Sequence, residues 1–174
     1  MKRLARLFSF ALFLTATAFA VAVLYPRPAP KPSTGGKITR IVVEKAARRL
    51  VTYDGPTALG SYAVALGANP VGDKQRQGDG RTPEGTFTIN RKNAGSAFTL
   101  SLGLDYPQQS DIIRANAGGF DPGGDIMIHG QPNGHADSLI GSGDWTAGCI
   151  AVSNPAIRAI FAAAEVGTVV EIRP

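Results

Sequence analysis

The sequence predicts a mostly-β domain, a curled mixed sheet or sandwich with about two short helices. Three observations carry this: short runs rich in Val, Ile, Thr, Tyr and Phe recur between turn residues, helix signals are confined to two places, and no alternating strand–helix pattern runs through the chain. No internal repeat interrupts it.

Taken in order, Ile38 to Glu44 and Arg48 to Asp54 are β-rich runs separated by Lys45-Ala46-Ala47 and closed by Gly55-Pro56, an opening hairpin. Leu59 to Leu66 alternates imperfectly as a third strand. Gly85 to Asn90 and Ala97 to Leu102 give two more, and the long polar stretch Asn69 to Glu84 before them reads as a functional surface loop. Ser110-Asp111 caps a short helix running to Ala115. Asp125 to Ile128 is a short strand. Ser153-Asn154-Pro155 starts a second helix, with a capping side chain before proline in the first turn, an apolar stripe at Ile157, Ile160 and Phe161, and Gly167 as its stop. Thr168 to Ile172 closes the domain as a strand.

The charge pattern divides the chain in three. Residues 1–36 contain five basic residues and no acidic one, so the formal net charge of +5 belongs to this segment and the remainder is balanced. A neutral body without a basic, aromatic-studded stripe excludes nucleic acid as a partner. Residues 1–25 form the first part: Lys2, Arg3 and Arg6 precede an uncharged apolar run from Leu7 to Leu24, long enough to cross a bilayer. The expectation is export, with the basic end left in the cytoplasm. Ala18-Phe19-Ala20 fits signal cleavage, whereas Val23, Leu24 and Tyr25 continue the apolar run as in an uncleaved anchor that ties the protein to the inner membrane. Residues 26–36, with Pro26, Pro28, Pro30 and Pro32 ahead of Gly35-Gly36, form a spacer. Residues 37–174 are the right size for one domain with one core.

Cys149 is the sole cysteine, so it belongs to no internal disulfide framework, and in an exported chain it stands out as a nucleophile. A free thiol has a pKa of about 8.5, and a neighbouring imidazole is the usual means of raising its thiolate fraction. His129 is the candidate, which carries the expectation of a thiol titrating below the free value. Gly130 and Gly148, beside the two reactive residues, permit tight turns, close substrate approach and a backbone oxyanion site. Thr146 and Trp145 lie just before the nucleophile; the indole either packs the domain edge or walls a groove. His135 follows a Pro132-Asn133-Gly134 turn and reads as a solvated loop residue. Two histidines and one cysteine fall short of a tetrahedral zinc set, so neither a metal nor a cofactor is expected.

The succession Gly80-Arg81-Thr82-Pro83-Glu84-Gly85-Thr86-Phe87, Ile128-His129-Gly130 and Thr146-Ala147-Gly148-Cys149-Ile150 resembles the catalytic domain of the L,D-transpeptidase (YkuD-like) family of bacterial cell-wall enzymes. The resemblance covers nearly all of residues 38–173. It implies that fold, a peptidoglycan stem peptide as substrate, Cys149 as the nucleophile acylated at the carbonyl of a diamino acid, and His129 as base. It leaves two outcomes for the thioester: transfer to an amine, or hydrolysis that cuts cross-links or wall-bound protein. A non-catalytic wall-binding module is the third reading, against which the intact His and Cys argue. Two positions depart from the family pattern. Ala147 stands where a second histidine is common and Ala151 where an arginine is, so a substrate carboxylate needs another guanidinium; Arg81, Arg114 and Arg158 are the candidates.

Overall fold

The computed structural model describes residues 36–135 and 143–174. The leader and most of the spacer therefore lie outside the described residues. Among those described, no helix is long and apolar enough to cross a membrane.

Strands β1 (Ile38–Glu44), β2 (Arg49–Asp54), β3 (Thr57–Ala63), β4 (Gly85–Asn93), β5 (Ser101–Leu104), β6 (Met127–His129), β7 (Ile150–Ala151) and β8 (Ala164–Arg173) form one mixed sheet in the order β3-β2-β1-β8-β4-β5-β6-β7. Two helices, α1 (Gln109–Ala117) and α2 (Asn154–Ala163), complete the described elements. The pairs β1–β8 and β6–β7 are parallel and the others antiparallel, and a register shift between Ile89 and Arg91 marks where β4 passes from its partner β8 to its partner β5. The expected opening hairpin is present, with Val42 opposite Val51 and Val43 opposite Leu50.

Alternation sets the core. Phe87 and Ile89 of β4, Val170 and Ile172 of β8, and Ile41 and Val43 of β1 are buried on one side, where Leu50, Leu66, Leu102, Ile128, Ile150, Ile157 and Ile160 join them. Each such side chain contributes roughly 1.5–3 kcal/mol relative to exposure. The stripe expected on the second helix is real: Ile157 and Ile160 are fully buried.

Several boundaries differ from expectation: β3 is Thr57–Ala63 instead of Leu59 to Leu66, β6 is Met127–His129 instead of Asp125 to Ile128 because Asp125 stands at φ 54°, β7 was not expected, and three further differences have local reasons. Helix α1 begins earlier, because Gln108 is its N-cap and Asp111 is the third residue of a capping box, its carboxylate accepting the Gln108 N–H at 2.9 Å. Helix α2 begins as expected, with the Ser153 hydroxyl accepting from the Ala156 N–H, but ends at Ala163 because Ala164 is already extended. Gly167 does not stop the helix. It sits at φ 91° inside β8, where the register against β1 jumps between Ile38 and Arg40, and so serves a bulge. Ala97 to Leu100 is not strand either; β5 starts at Ser101, and the preceding residues turn through Thr99 at φ 67°.

Candidate active site

Cross-strand register brings the two reactive residues together. His129 ends β6, Cys149 immediately precedes β7, and these strands pair in parallel with Ile128 opposite Ile150 and His129 opposite Ala151. Both side chains line one cleft of about 420 Å³, with Asn93, Ser96, Phe98, Ser101, Met127, Trp145, Thr146 and Ala147 around them. That volume lies within the usual range of sites for small ligands, about 300–1,000 Å³.

His129 is buried, 4% exposed, with the Phe98 ring centroid 4.5 Å and the Trp145 centroid 5.8 Å from its own. Its Nδ1 lies 2.7 Å from the Gly130 carbonyl oxygen. A carbonyl only accepts, so Nδ1 carries the proton and Nε2 holds the free lone pair of a base. Burial holds the imidazole pKa below its ordinary value, outweighing the Gly130 carbonyl, which raises it. Gly130 therefore fixes the tautomer through its backbone. It also has no room for a side chain: a Cβ there would stand 2.7 Å from Asn154 Oδ1 and 2.9 Å from the Phe98 carbonyl oxygen.

The Cys149 thiol donates to the Asp125 carbonyl oxygen at 3.3 Å. Burial pushes its pKa up, and Asp125 adds to this, against the Met127 N–H and the cations of Lys74 and Arg91, which lower it. Both shifts favour the uncharged thiol and the uncharged imidazole, opposite in direction to the lowered thiol value expected from the sequence. Desolvation disfavours both charges, and at His129 the Phe98 and Trp145 rings lie against the imidazole.

The loop carrying Cys149 is held on three sides. Asp144 accepts from Arg48 Nη2 at 2.7 Å and from the Leu66 N–H at 2.9 Å, tying the loop to the hairpin turn and to the strand exit. Thr146 Oγ1 donates to the Cys149 carbonyl at 2.8 Å and accepts from the Gly148 N–H at 3.1 Å. Gly148 adopts φ 139°, and a Cβ there would stand 2.7 Å from the Arg81 carbonyl oxygen. Its N–H being occupied by Thr146, its contribution in the resting state is this close approach. The loop from Asn69 to Glu84 is consequently a buttress as well as a surface. Lys45, nearly buried, donates to the carbonyls of Gly72 and Thr82 and to Glu84; Lys74, equally buried, pairs with Asp79 at 2.9 Å.

Sequence reasoning missed Asn154. It is buried at the start of α2, and its Oδ1 accepts from the Gln131 N–H at 2.8 Å and from Thr99 Oγ1 at 2.9 Å, fixing the turn after His129. The capping position had been visible, but its long-range partners had no sequence signal. Trp145 lines the cleft and Ala147 presents a methyl there. His135 makes a turn contact, its N–H donating to the Pro132 carbonyl at 3.1 Å.

Ala151 is wholly buried and bonded to Ala65 through both backbone groups, at 2.8 and 2.9 Å. Neither Arg81, Arg114 nor Arg158 lines the cleft. Arg81 and Arg114 instead donate to the carbonyls of Asp73 and Lys74. No group of His, Cys, Asp and Glu among the described residues is arranged to hold a metal ion.

Comparison with known proteins agrees with this fold. Over 105 residues the chain is 30% identical to YafK of Escherichia coli K12, a protein named as a candidate L,D-transpeptidase, covering 59% of this chain and 36% of YafK. Among solved structures, the helical cell shape determining protein Pgp2 from Campylobacter jejuni is similar with a TM-score of 0.59 at 22% identity, over 89% of this chain and 54% of that one. An L,D-transpeptidase fragment from Xylanimonas cellulosilytica is similar with a TM-score of 0.54 at 18% identity, over 90% of this chain and 69% of that one. These two likenesses are of fold, and the chain spans only about a third of YafK and half of Pgp2. The model of the L,D-transpeptidase catalytic domain, YkuD, matches residues 38–172, and the chain belongs to that family.

Proposed function

We propose that this protein is a cysteine-dependent peptidoglycan L,D-transpeptidase, carried to the cell envelope by residues 1–25 and acting there on stem peptides. The observation that supports it most is the placement of Cys149 and His129 in one cleft, with the imidazole tautomer set by the Gly130 carbonyl.

The steps follow from that arrangement. When the donor carbonyl reaches the thiol, His129 Nε2 takes the S–H proton as the sulfur bonds to carbon, so no free thiolate accumulates in the dry cleft. Backbone N–H groups of the nucleophile loop stabilise the oxyanion, the Gly148 N–H turning from Thr146 to the new charge. The carbonyl C–N bond then breaks, and the leaving amine takes the proton from the imidazolium. An acceptor amine attacks the thioester, His129 removes its extra proton, and the departing sulfur recovers it. No cofactor enters these steps. Trp145 and Phe98 exclude water around the imidazole and wall the peptide groove.

Transfer and hydrolysis share every step up to the thioester. Incubation of the purified protein with tetrapeptide muropeptides, followed by product separation, tests the assignment: cross-linked dimers or amine-exchanged products are expected. Exclusive release of shortened stems would show that water is the acceptor.

A further inference from the structure

Arg91, a residue with no sequence signal, lies outside the cleft lining as Arg81, Arg114 and Arg158 do, but it adjoins the cleft along the sheet. In the register, Arg91 lies opposite Gly103 and Gly103 opposite Met127; the next row is Asn93, Ser101 and His129. Residues two apart on a strand share a face, so Arg91 extends the same sheet face that supplies Asn93, Ser101, Met127 and His129 to the cleft. Gly103 makes its path. A Cβ at Gly103 would stand 2.7 Å from both Cγ and Cζ of Arg91, so the side chain lies flat across β5 where a neighbour's side chain would otherwise be. At the far side its Nη2 meets Asp125 Oδ1 at 2.7 Å.

Asp125 is the residue whose carbonyl oxygen takes the Cys149 thiol. It adopts φ 54°, a conformation uncommon for a residue with a side chain, though aspartate tolerates it better than most. The ion pair it makes is open to solvent, the two side chains being 44% and 83% exposed. Exposed pairs of this kind contribute little to stability. A glycine slot and a left-handed aspartate thus hold an ion pair that folding does not require, one residue's backbone away from the nucleophile.

The pair is also chemically unsaturated. Arg91 uses one nitrogen on Asp125 and makes a long 3.4 Å contact to Asn90 with the other, while Asp125 engages Arg91 through a single oxygen. A lone carboxylate is drawn by Arg91 and repelled by Asp125, and a lone ammonium meets the opposite. A group carrying both charges on one carbon satisfies both partners, its carboxylate on the guanidinium and its ammonium on the free carboxylate oxygen. We propose that the Arg91–Asp125 pair, seated over Gly103 beside Cys149, is a specificity subsite for a zwitterionic amino-acid head at the end of the donor residue's side chain. The assignment rests on the stem-peptide reading above, and it places substrate choice at Arg91 in place of the residue at position 151.

The test measures equilibrium binding to the full chain carrying Cys149→Ala, so that no acylation intervenes. Three tetrapeptides are compared that differ only at the third residue: diaminopimelate with its free carboxylate, diaminopimelate with that carboxylate amidated, and lysine. The diaminopimelate peptide is expected to bind at least about tenfold more tightly than the other two. Adding Arg91→Gln removes this preference: the diaminopimelate peptide loses about tenfold, while the lysine peptide, relieved of the guanidinium beside Asp125, binds no more weakly than before. Gly103→Ala does the same without altering any charge. Equal binding of the three peptides, a preference that survives Arg91→Gln, or no binding of the zwitterionic peptide overturns the subsite. Absence of a thioester on the unsubstituted protein instead overturns the transpeptidase reading, and the ranking of affinities still decides the subsite.

Discussion

At the scale of single residues, the chemistry turns on when a proton leaves Cys149. Burial raises the thiol and lowers the imidazole, which favours both in their uncharged forms; in the mechanism proposed, the proton then moves only as the carbonyl is attacked. Alkylation of Cys149 by iodoacetamide is therefore expected to show a midpoint above the free-thiol value of about 8.5. Acylation by stem peptide behaves differently. It rises with pH as His129 loses its proton, below the ordinary imidazole value, and is then flat through neutrality; His129→Ala lowers it by about 10²–10⁴-fold. An alkylation midpoint below 8.5 that moves up in His129→Ala would instead mean a preformed ion pair. Gly148→Ala probes the neighbouring backbone. With φ 139° and the Arg81 carbonyl in the way, it is expected to cost about 1–3 kcal/mol in denaturant unfolding. An unchanged midpoint would show that the loop relaxes freely. The identities of Cys149 and His129 were legible in the sequence because reactive residue types beside glycine carry a local signal. Asn154, Arg91 and Asp125 were not, since each acts through partners brought near only by strand register.

Among elements, the loop from Asn69 to Glu84 packs against the Gly148-Cys149 turn through the Arg81 carbonyl, and its own order depends on Asp79. That carboxylate is partly desolvated, which alone would raise its pKa, but Lys74 and the backbone N–H groups of Arg81, Gln75 and Arg76 hold it down to about 2. A depressed carboxylate contributes stability that is fully present above its unfolded value, 3.8, and is lost as pH falls toward about 2. Asp79→Asn leaves the nearly buried Lys74 ammonium uncompensated and is expected to cost about 3–5 kcal/mol at neutral pH. It also flattens the acid limb of the stability profile, followed by circular dichroism from pH 5 to about pH 2. Equal acid sensitivity in the two proteins would remove Asp79 from this role. Seven of the eight described strands and both helices were readable from period and turn residues, whereas β7 was not, and the cap of α1 lies at Gln108 instead of Ser110. The misplaced ends, at Ala97 to Leu100 and at Gly167, arise where a glycine or a positive φ serves a turn or bulge, which composition does not distinguish from a helix stop.

For the molecule as a whole, the curled sheet places Cys149 and His129 at one edge, where the short strands β5, β6 and β7 lie side by side beneath the loops that follow β4 and precede β7. The same arrangement makes the thioester the central claim, because everything downstream depends on it. The most direct measurement is the intact mass of the full chain after brief mixing with tetrapeptide muropeptide. The expected result is a shift equal to the donor acyl group, mapped to the peptide containing Cys149, absent from a folded Cys149→Ser protein, and lost when an amine acceptor is added. Turnover of muropeptide by Cys149→Ser at the parent rate, or an adduct mapped elsewhere, would contradict it.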